Sequence, residues 1–232
     1  MILSSQTPTE KIFSTMDELK ETATIYGKNF FRLTLPFLVF FGFSLTGGIY
    51  AFPQGSTVKV TYGFLLGLLA LFCSSSVAVD SWGSLHNVEF GLIENWKYTL
   101  GKLPVLLLST LIAIVPWLVL LYLFLNFYSF FLFVPLAVYP FFFLYLLPSV
   151  LVGNAGPVAA IRDSFKTSWS NSTRTATLTY LPGFSATALV VIEIYSPVIL
   201  ILVPAWIVLI TVNYCHLNQP QLSREIFCGE EG

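Results

Sequence analysis

Charged side chains are scarce in this sequence of 232 residues. Only 10% of the residues are Asp, Glu, Lys or Arg, against about 25% in soluble domains. None of these four types occurs between Leu103 and Ile161. In contrast, 56% of the residues are hydrophobic, and apolar runs recur at about 20 residues, the length that crosses a hydrocarbon core. This composition disfavours a soluble domain and predicts an all-α membrane helix bundle.

Cysteine and histidine are also rare, with three and two residues respectively. Cys73, Cys215 and Cys228 are odd in number and lack metal-ligand spacing, so neither a disulfide framework nor a zinc site is expected. The net charge of −1 provides no general basic surface for nucleic acid. Residues 1–28 are polar and lack the apolar centre of a secretory signal. We therefore expect no metal, no cofactor and no nucleic-acid partner.

Uncharged length predicts about six membrane-spanning helices in one domain that covers residues 1–232. The predicted spans are 33–52, 61–79, 104–126, 129–152, 175–194 and 197–214. The third and fourth are the best defined, whereas 175–194 is rich in Thr and leaves a five-span alternative open. All Lys and Arg residues except Lys59 then fall on one side of the membrane. This asymmetry predicts a multi-pass protein of the cell membrane with both termini in the cytoplasm.

Three amphipathic helices are predicted on the cytoplasmic side, one before each hairpin of spans. Thr7, Pro8 and Glu10 resemble a capping box at the start of the first helix, and Gly156 and Pro157 suit the start of the third. Acidic residues of the first helix such as Glu18 lie off its apolar stripe. The stripes are Ile12, Met16, Leu19, Ala23, Tyr26 and Phe30; Leu85, Val88, Leu92, Trp96 and Leu100; and Val158, Ile161, Phe165 and Trp169.

Helix and hairpin together form a unit that repeats three times, near 1–79, 80–152 and 153–214, followed by a short tail at 215–232. The first span of each unit begins near a Leu-Pro dipeptide. The apolar residues of the stripes are the candidate face for the membrane interface or a partner. They are Ile12, Met16, Leu19, Trp96, Ile161, Phe165 and Trp169.

Residues that could support catalysis are few. His86 and Glu89 could share a helix face as an incomplete ligand pair, and Ser185 lies in a sequence that lacks the second Gly of a nucleophile elbow. Asp80 is expected to cap the second cytoplasmic helix. Glu193 is the remaining candidate functional acid, because a carboxylate near membrane depth is costly unless it is used. Prolines inside the spans are expected to bend their helices.

The stretch at 154–181 resembles the superfamily of YciC-like integral membrane proteins, which includes the membrane domain attached to some glycerophosphodiester phosphodiesterases. The matching residues are Gly156, Ala160, Ser164, Trp169 and Asn171, and "YGKNFFRLTLPFL" is similar to the start of the first span in that superfamily. The resemblance implies a six-span membrane module without a hydrolase domain. It brings no catalytic residues to this chain.

The sequence therefore predicts a noncatalytic membrane protein that acts as a scaffold, an accessory subunit or a membrane-organising factor. Its expected partners are the lipid bilayer and either another membrane protein or a second copy of itself. A transporter of small solutes or lipids is the alternative, favoured by the prolines in the spans and the repeated units. An intramembrane enzyme would depend on His86 and Glu89.

Overall fold

The structure of this protein is a computed structural model. It describes residues 8–49, 57–88, 90–127, 132, 134–135, 138–180 and 197–227. Side chains are described for 16–43, 57–59, 61–88, 90–127, 132, 134–135, 138–180 and 202–218.

Every regular element in these ranges is helical, which confirms the prediction of an all-α fold. The first four helices are α1 (Pro8–Lys28), α2 (Phe30–Ile49), α3 (Thr57–Leu85) and α4 (Leu92–Phe127). A 3₁₀ helix (Tyr139–Phe143) and α5 (Leu146–Leu151) follow. The remaining helices are α6 (Pro157–Ser170), α7 (172–180) and α8 (Pro197–Phe227).

Two of the described helices, α3 and α4, are long and apolar enough to cross a membrane. They contain 29 and 36 residues, so at 1.5 Å per residue they extend about 44 and 54 Å. Each of these helices contains an apolar stretch of 18 residues. Only 33% of that stretch in α3, and 17% of that in α4, is buried against the rest of the protein. The other predicted spans, and hence the six-span bundle, stay predictions.

The core is built around α3, which contacts α1, α2, α4, α5 and α8. Small side chains from Cys73 to Ser81 allow these close contacts, and Val77 and Ala78 are fully buried. Val208 and Val212 of α8 are buried in the same apolar cluster. The part of α3 that is rich in small side chains therefore lies in the core of the described bundle.

A tight turn ends α3 and fixes the start of α4. The amide of Val88 donates to the carbonyl of Gly83 over 2.8 Å, and Asn87 has a φ of 56°, as in a Schellman motif. A Cβ on Gly83 would lie 2.7 Å from the Val88 carbonyl oxygen, so the turn requires glycine there. The cap predicted at Asp80 is wrong, because α3 continues past it to Leu85.

The separate amphipathic helix predicted before the third span is also wrong. Its stripe is divided between the end of α3, the turn and the start of α4, and α4 continues without interruption to Phe127. The physical reason is that the turn after Leu85 interrupts the stripe, and residues 92–103 continue into the predicted span as one helix. The unit boundary predicted near residue 80 lies inside α3.

The fourth predicted span is not one α-helix within the described residues 138–152. Pro140 lies in the first turn of the 3₁₀ helix and Pro148 in the first turn of α5, where a missing amide costs little. These prolines therefore start short helices instead of bending a long one. The Tyr139 hydroxyl donates to the Ala113 carbonyl over 2.8 Å, which holds the 3₁₀ helix against α4.

The first and third amphipathic helices are present as α1 and α6, and they begin at Pro8 and Pro157 as predicted. Each is followed directly by the next helix, after a single asparagine. The Asn29 side chain donates to the Ile25 carbonyl, and that of Asn171 donates to the Thr167 carbonyl. The sixth predicted span lies in α8, which continues beyond residue 214 into the predicted tail.

Candidate functional site

One group of buried polar side chains lies around Glu18 of α1. This side chain is 6% exposed and forms an ion pair with Arg174 of α7. The Asn213 amide of α8 donates to the same carboxylate over 3.2 Å. Burial lowers the pKa of the Arg174 guanidinium, so the carboxylate is needed to compensate its charge. Glu18 was expected on the water face of α1, and the structure places it in the interior instead.

Hydrogen bonds extend this network through two further buried side chains. The Tyr145 hydroxyl, just before α5, donates to the Asn213 side-chain oxygen over 2.6 Å. The Thr175 hydroxyl donates to the Tyr145 oxygen over 3.4 Å. We call Glu18, Tyr145, Arg174, Thr175 and Asn213 the Glu18 network. It joins residues of all three predicted repeat units.

A second buried ion pair connects α2 and α3. Arg32 Nη2 lies 2.5 Å from Asp80 Oδ1, and the Asp80 side chain is 4% exposed. The same Arg32 nitrogen donates to the carbonyl of Phe90, beyond the α3–α4 turn. Next to this pair, the Asn95 amide of α4 donates to the Ser76 carbonyl over 3.0 Å. Asp80 therefore fixes the start of α2 instead of capping a helix.

The two arginines occupy matching positions, each three residues after the asparagine that separates an amphipathic helix from the next helix. These are Asn29 with Arg32, and Asn171 with Arg174. This Asn-x-x-Arg spacing is visible in the sequence and could have drawn attention to both arginines. Their acidic partners, Glu18 and Asp80, have no comparable signal because they lie far away in the chain.

A basic and aromatic stripe runs along the exposed side of α6. It consists of Arg162, Phe165, Lys166 and Trp169, at i, i+3, i+4 and i+7 of one helix, which places them on one face. Phe165 and Trp169 are 48% and 67% exposed. The ring planes of Phe165 and Trp169 are parallel within 3°, and their centroids are 6.4 Å apart. The Phe142 ring stacks on the Phe165 ring at a centroid distance of 4.6 Å. We call these four residues of α6 the α6 stripe.

The opposite side of α6 anchors the helix to the bundle. Ala160 and Ser164 are fully buried, and the Ser164 hydroxyl donates to the Phe142 carbonyl over 2.8 Å. A polar cleft of about 290 Å³ separates α6 from α8, with Asp163 and Lys166 on one wall and Tyr214 on the other, so Lys166 lies at the border between the stripe and the cleft. The stripe is thus held in a fixed orientation by the packing beneath it.

The other predicted interface residues lie on different helices. Met16 and Leu19 of α1 are 56% and 46% exposed, and Trp96 of α4 makes an edge contact with Phe72 at 6.0 Å. Ile161 packs partly against the core. The side chain of Ile12 lies outside the described side chains. Whether these residues contact lipid stays a prediction.

One of the candidates for catalysis, His86, lies within the described residues. It lies beyond the end of α3, and its Nδ1 donates to the Trp82 carbonyl oxygen over 3.0 Å. The pairing of His86 with Glu89 stays a prediction. Glu89, Ser185 and Glu193 lie outside the described residues. In the described part of the chain, no group of three or more His, Cys, Asp or Glu residues is placed to hold a metal ion.

The described fold is thus an all-α bundle with two helices capable of spanning a membrane, and with its buried charges paired near α1, α2 and α7. Comparisons of the chain with protein-family models, with curated proteins and with solved structures found no match.

Proposed function

We propose that this chain is a noncatalytic, multi-pass integral membrane protein that acts as a scaffold, an accessory subunit or a membrane-organising factor. The observation that carries the proposal is the exposure of apolar side chains along α4. Leu111, Val115 and Leu118 are 54%, 54% and 48% exposed on one helix side. Apolar patches of this extent are rare on soluble proteins, and a bilayer would cover them.

The paired charges support a structural role. Buried ion pairs are weak sources of stability, and their best-attested use is to specify one arrangement. Here Glu18 with Arg174 connects the first and third units, and Arg32 with Asp80 fixes the α2–α3 contact. A bundle held in one arrangement would present α1 and α6 as fixed platforms for lipid or for a partner protein.

The proposed topology places both termini in the cytoplasm and α1 and α6 along the inner surface of a cell membrane. Arg32 and Arg174 are paired with Asp80 and Glu18, and Lys102 donates to Asn154, so the described residues of the proposed cytoplasmic side hold these three cations in contacts with the rest of the chain. Lys59 lies 21 residues before Asp80 on α3, about 32 Å away along the helix. This separation agrees with the predicted charge asymmetry, and with the six-span module that the resemblance to the YciC-like superfamily implies.

The test compares lysine substitutions along α4 in the full chain expressed in cells. Leu111→Lys and Leu118→Lys place a charge in the central part of the proposed span, at a cost of about 2.5–3.5 kcal/mol each. Leu100→Lys is the matched control, because Leu100 is 56% exposed but lies between Lys97 and Lys102. The fraction of the protein that stays in the membrane after alkaline carbonate extraction should fall for the two central variants. It should stay at the wild-type value for the control.

Extraction of the wild-type protein by alkaline carbonate would contradict the membrane assignment. The transporter alternative is tested separately, by reconstituting the purified protein into liposomes loaded with a panel of solutes and labelled lipids. Flux that is lost in Glu193→Gln would favour that alternative over a scaffold. Absence of flux for every probe, with the protein stably inserted, is the result we expect.

A further inference from the structure

We propose that the α6 stripe is a binding site for the phosphate of anionic lipid headgroups. The inference rests on the proposed membrane location and adds the class of lipid. The net charge of the chain is −1, so attraction to acidic lipid would have to come from a local site and not from the whole surface.

The arrangement of side chains on α6 supports such a site. Arg162 and Lys166 are exposed and follow one another at i and i+4, alongside Phe165 and Trp169. Among the described residues, neither Arg162 nor Lys166 has an ion-pair partner. Unpaired cations beside exposed rings can bind phosphate oxygens while the rings occupy the boundary between headgroups and acyl chains.

The position of the stripe favours lipid over a soluble anion. Asn171 ends α6 and leads directly into 172–180, where the fifth predicted span begins, so the stripe lies next to a membrane entry point under the proposed topology. Val158, one turn before Arg162 on the same side, is 73% exposed. An exposed apolar residue in line with the rings extends the surface that would enter the bilayer.

The carboxylate of Asp163 lies beside one end of the stripe. Asp163 and Lys166 both line the cleft between α6 and α8, and Asp163 is about 100° around the helix from Arg162 and about 60° from Lys166. Its negative charge opposes phosphate binding, so Asp163→Asn should keep or strengthen the preference for anionic lipid.

The experiment uses the purified full chain reconstituted into vesicles of equal phosphatidylcholine and phosphatidylglycerol. After extraction, the lipids that stay bound are quantified by mass spectrometry. The wild type should retain phosphatidylglycerol in preference to phosphatidylcholine. A basic residue near an anionic surface changes binding about fivefold, so Arg162→Gln/Lys166→Gln should reduce the preference at least fivefold. High salt should weaken it as well.

Lys97→Gln serves as the matched control, because Lys97 is exposed on α4. It should keep the wild-type preference, whereas loss of the preference in Asp163→Asn would contradict the site. The proposal is overturned if the wild type retains the two lipids in the ratio present in the vesicle, or if Arg162→Gln/Lys166→Gln keeps the preference for phosphatidylglycerol. It is also overturned if Lys97→Gln loses as much of that preference as the double variant does. A chain that fails to insert into any vesicle would instead refute the proposed membrane function. Failure of the membrane function is therefore distinguishable from failure of the lipid site, in which the chain inserts but shows no preference. Binding of inorganic phosphate that matches phosphatidylglycerol binding would likewise overturn a lipid-specific site.

Discussion

At the scale of single residues, the pairing of Glu18 with Arg174 determines how α1 is attached to the bundle. The face of α1 that contacts the interior carries Glu18, Thr22 and Ile25, which are 5%, 7% and 7% exposed. Met16 and Leu19 point outward. An amphipathic helix that packs through its polar face leaves its apolar face available to lipid.

Breaking this pair on one side should destabilise the protein strongly. Glu18→Gln leaves the Arg174 charge buried without compensation, and we expect the free energy of unfolding to fall by about 3 kcal/mol. Replacing both residues in Glu18→Leu/Arg174→Leu should recover about half of that loss, because no charge stays buried. Thermal unfolding in detergent of Glu18→Leu, Arg174→Leu and the double variant, analysed as a double-mutant cycle, measures the coupling.

Asp17→Asn is the control for this cycle, since Asp17 is next in sequence but 73% exposed in a weak pair with Lys20. It should change stability by less than about 0.5 kcal/mol. A loss in Glu18→Gln no larger than in Asp17→Asn would show that the buried pair has no structural role.

At the scale of elements, the turn between α3 and α4 depends on the absence of a side chain at Gly83. Gly83→Ala would push a methyl group against the Val88 carbonyl and the Phe90 ring, and we expect a loss of about 2 kcal/mol. Gly101→Ala in α4 is the matched control. Apart from its chain neighbours and the backbone of its own helix, no atom lies within 4 Å of its added Cβ, so that variant should gain up to about 1 kcal/mol.

Chemical unfolding monitored by circular dichroism would distinguish the two glycines. Equal effects of Gly83→Ala and Gly101→Ala would mean that the turn adapts, and that the close contact does not fix the start of α4.

Periodicity predicted α1 and α6, and the prolines Pro8 and Pro157 predicted where they begin. It failed between residues 80 and 103, where the spacing of Leu85, Val88 and Leu92 continued across a turn. Apolar periodicity cannot detect that Asn87 adopts a positive φ. It also missed the 3₁₀ helix, since residues 139–151 are as apolar as a true span.

At the scale of the whole molecule, the orientation of α3 can be tested by labelling single cysteines. In a chain whose native cysteines are replaced by alanine, Lys59→Cys and Lys97→Cys should react with a membrane-impermeant maleimide from opposite sides. Lys59 and Lys97 lie before and after the apolar part of α3, which is the physical basis of this expectation. Labelling of both from the same side in intact cells would contradict the topology.

The sequence predicts the class of fold because composition and apolar length are properties of the whole chain. The Glu18 network could not be predicted in the same way. Its members are spread over the chain, with Glu18 and Asn213 separated by 195 positions, and each one taken alone resembles an ordinary surface residue. Only the Asn-x-x-Arg spacing at Asn29 and Asn171 indicates, within the sequence itself, that the arginines have related roles.

The distance in sequence between Glu18 and Asn213 has a consequence for biosynthesis. At about 5–20 residues per second, a ribosome needs roughly 10 to 40 s to make the chain between them. During that interval the nascent α1 carries a carboxylate without its final partners. The contacts of Glu18 with Arg174 and Asn213 can therefore form only after most of the chain has been made, so docking of α1 would be among the last steps of assembly.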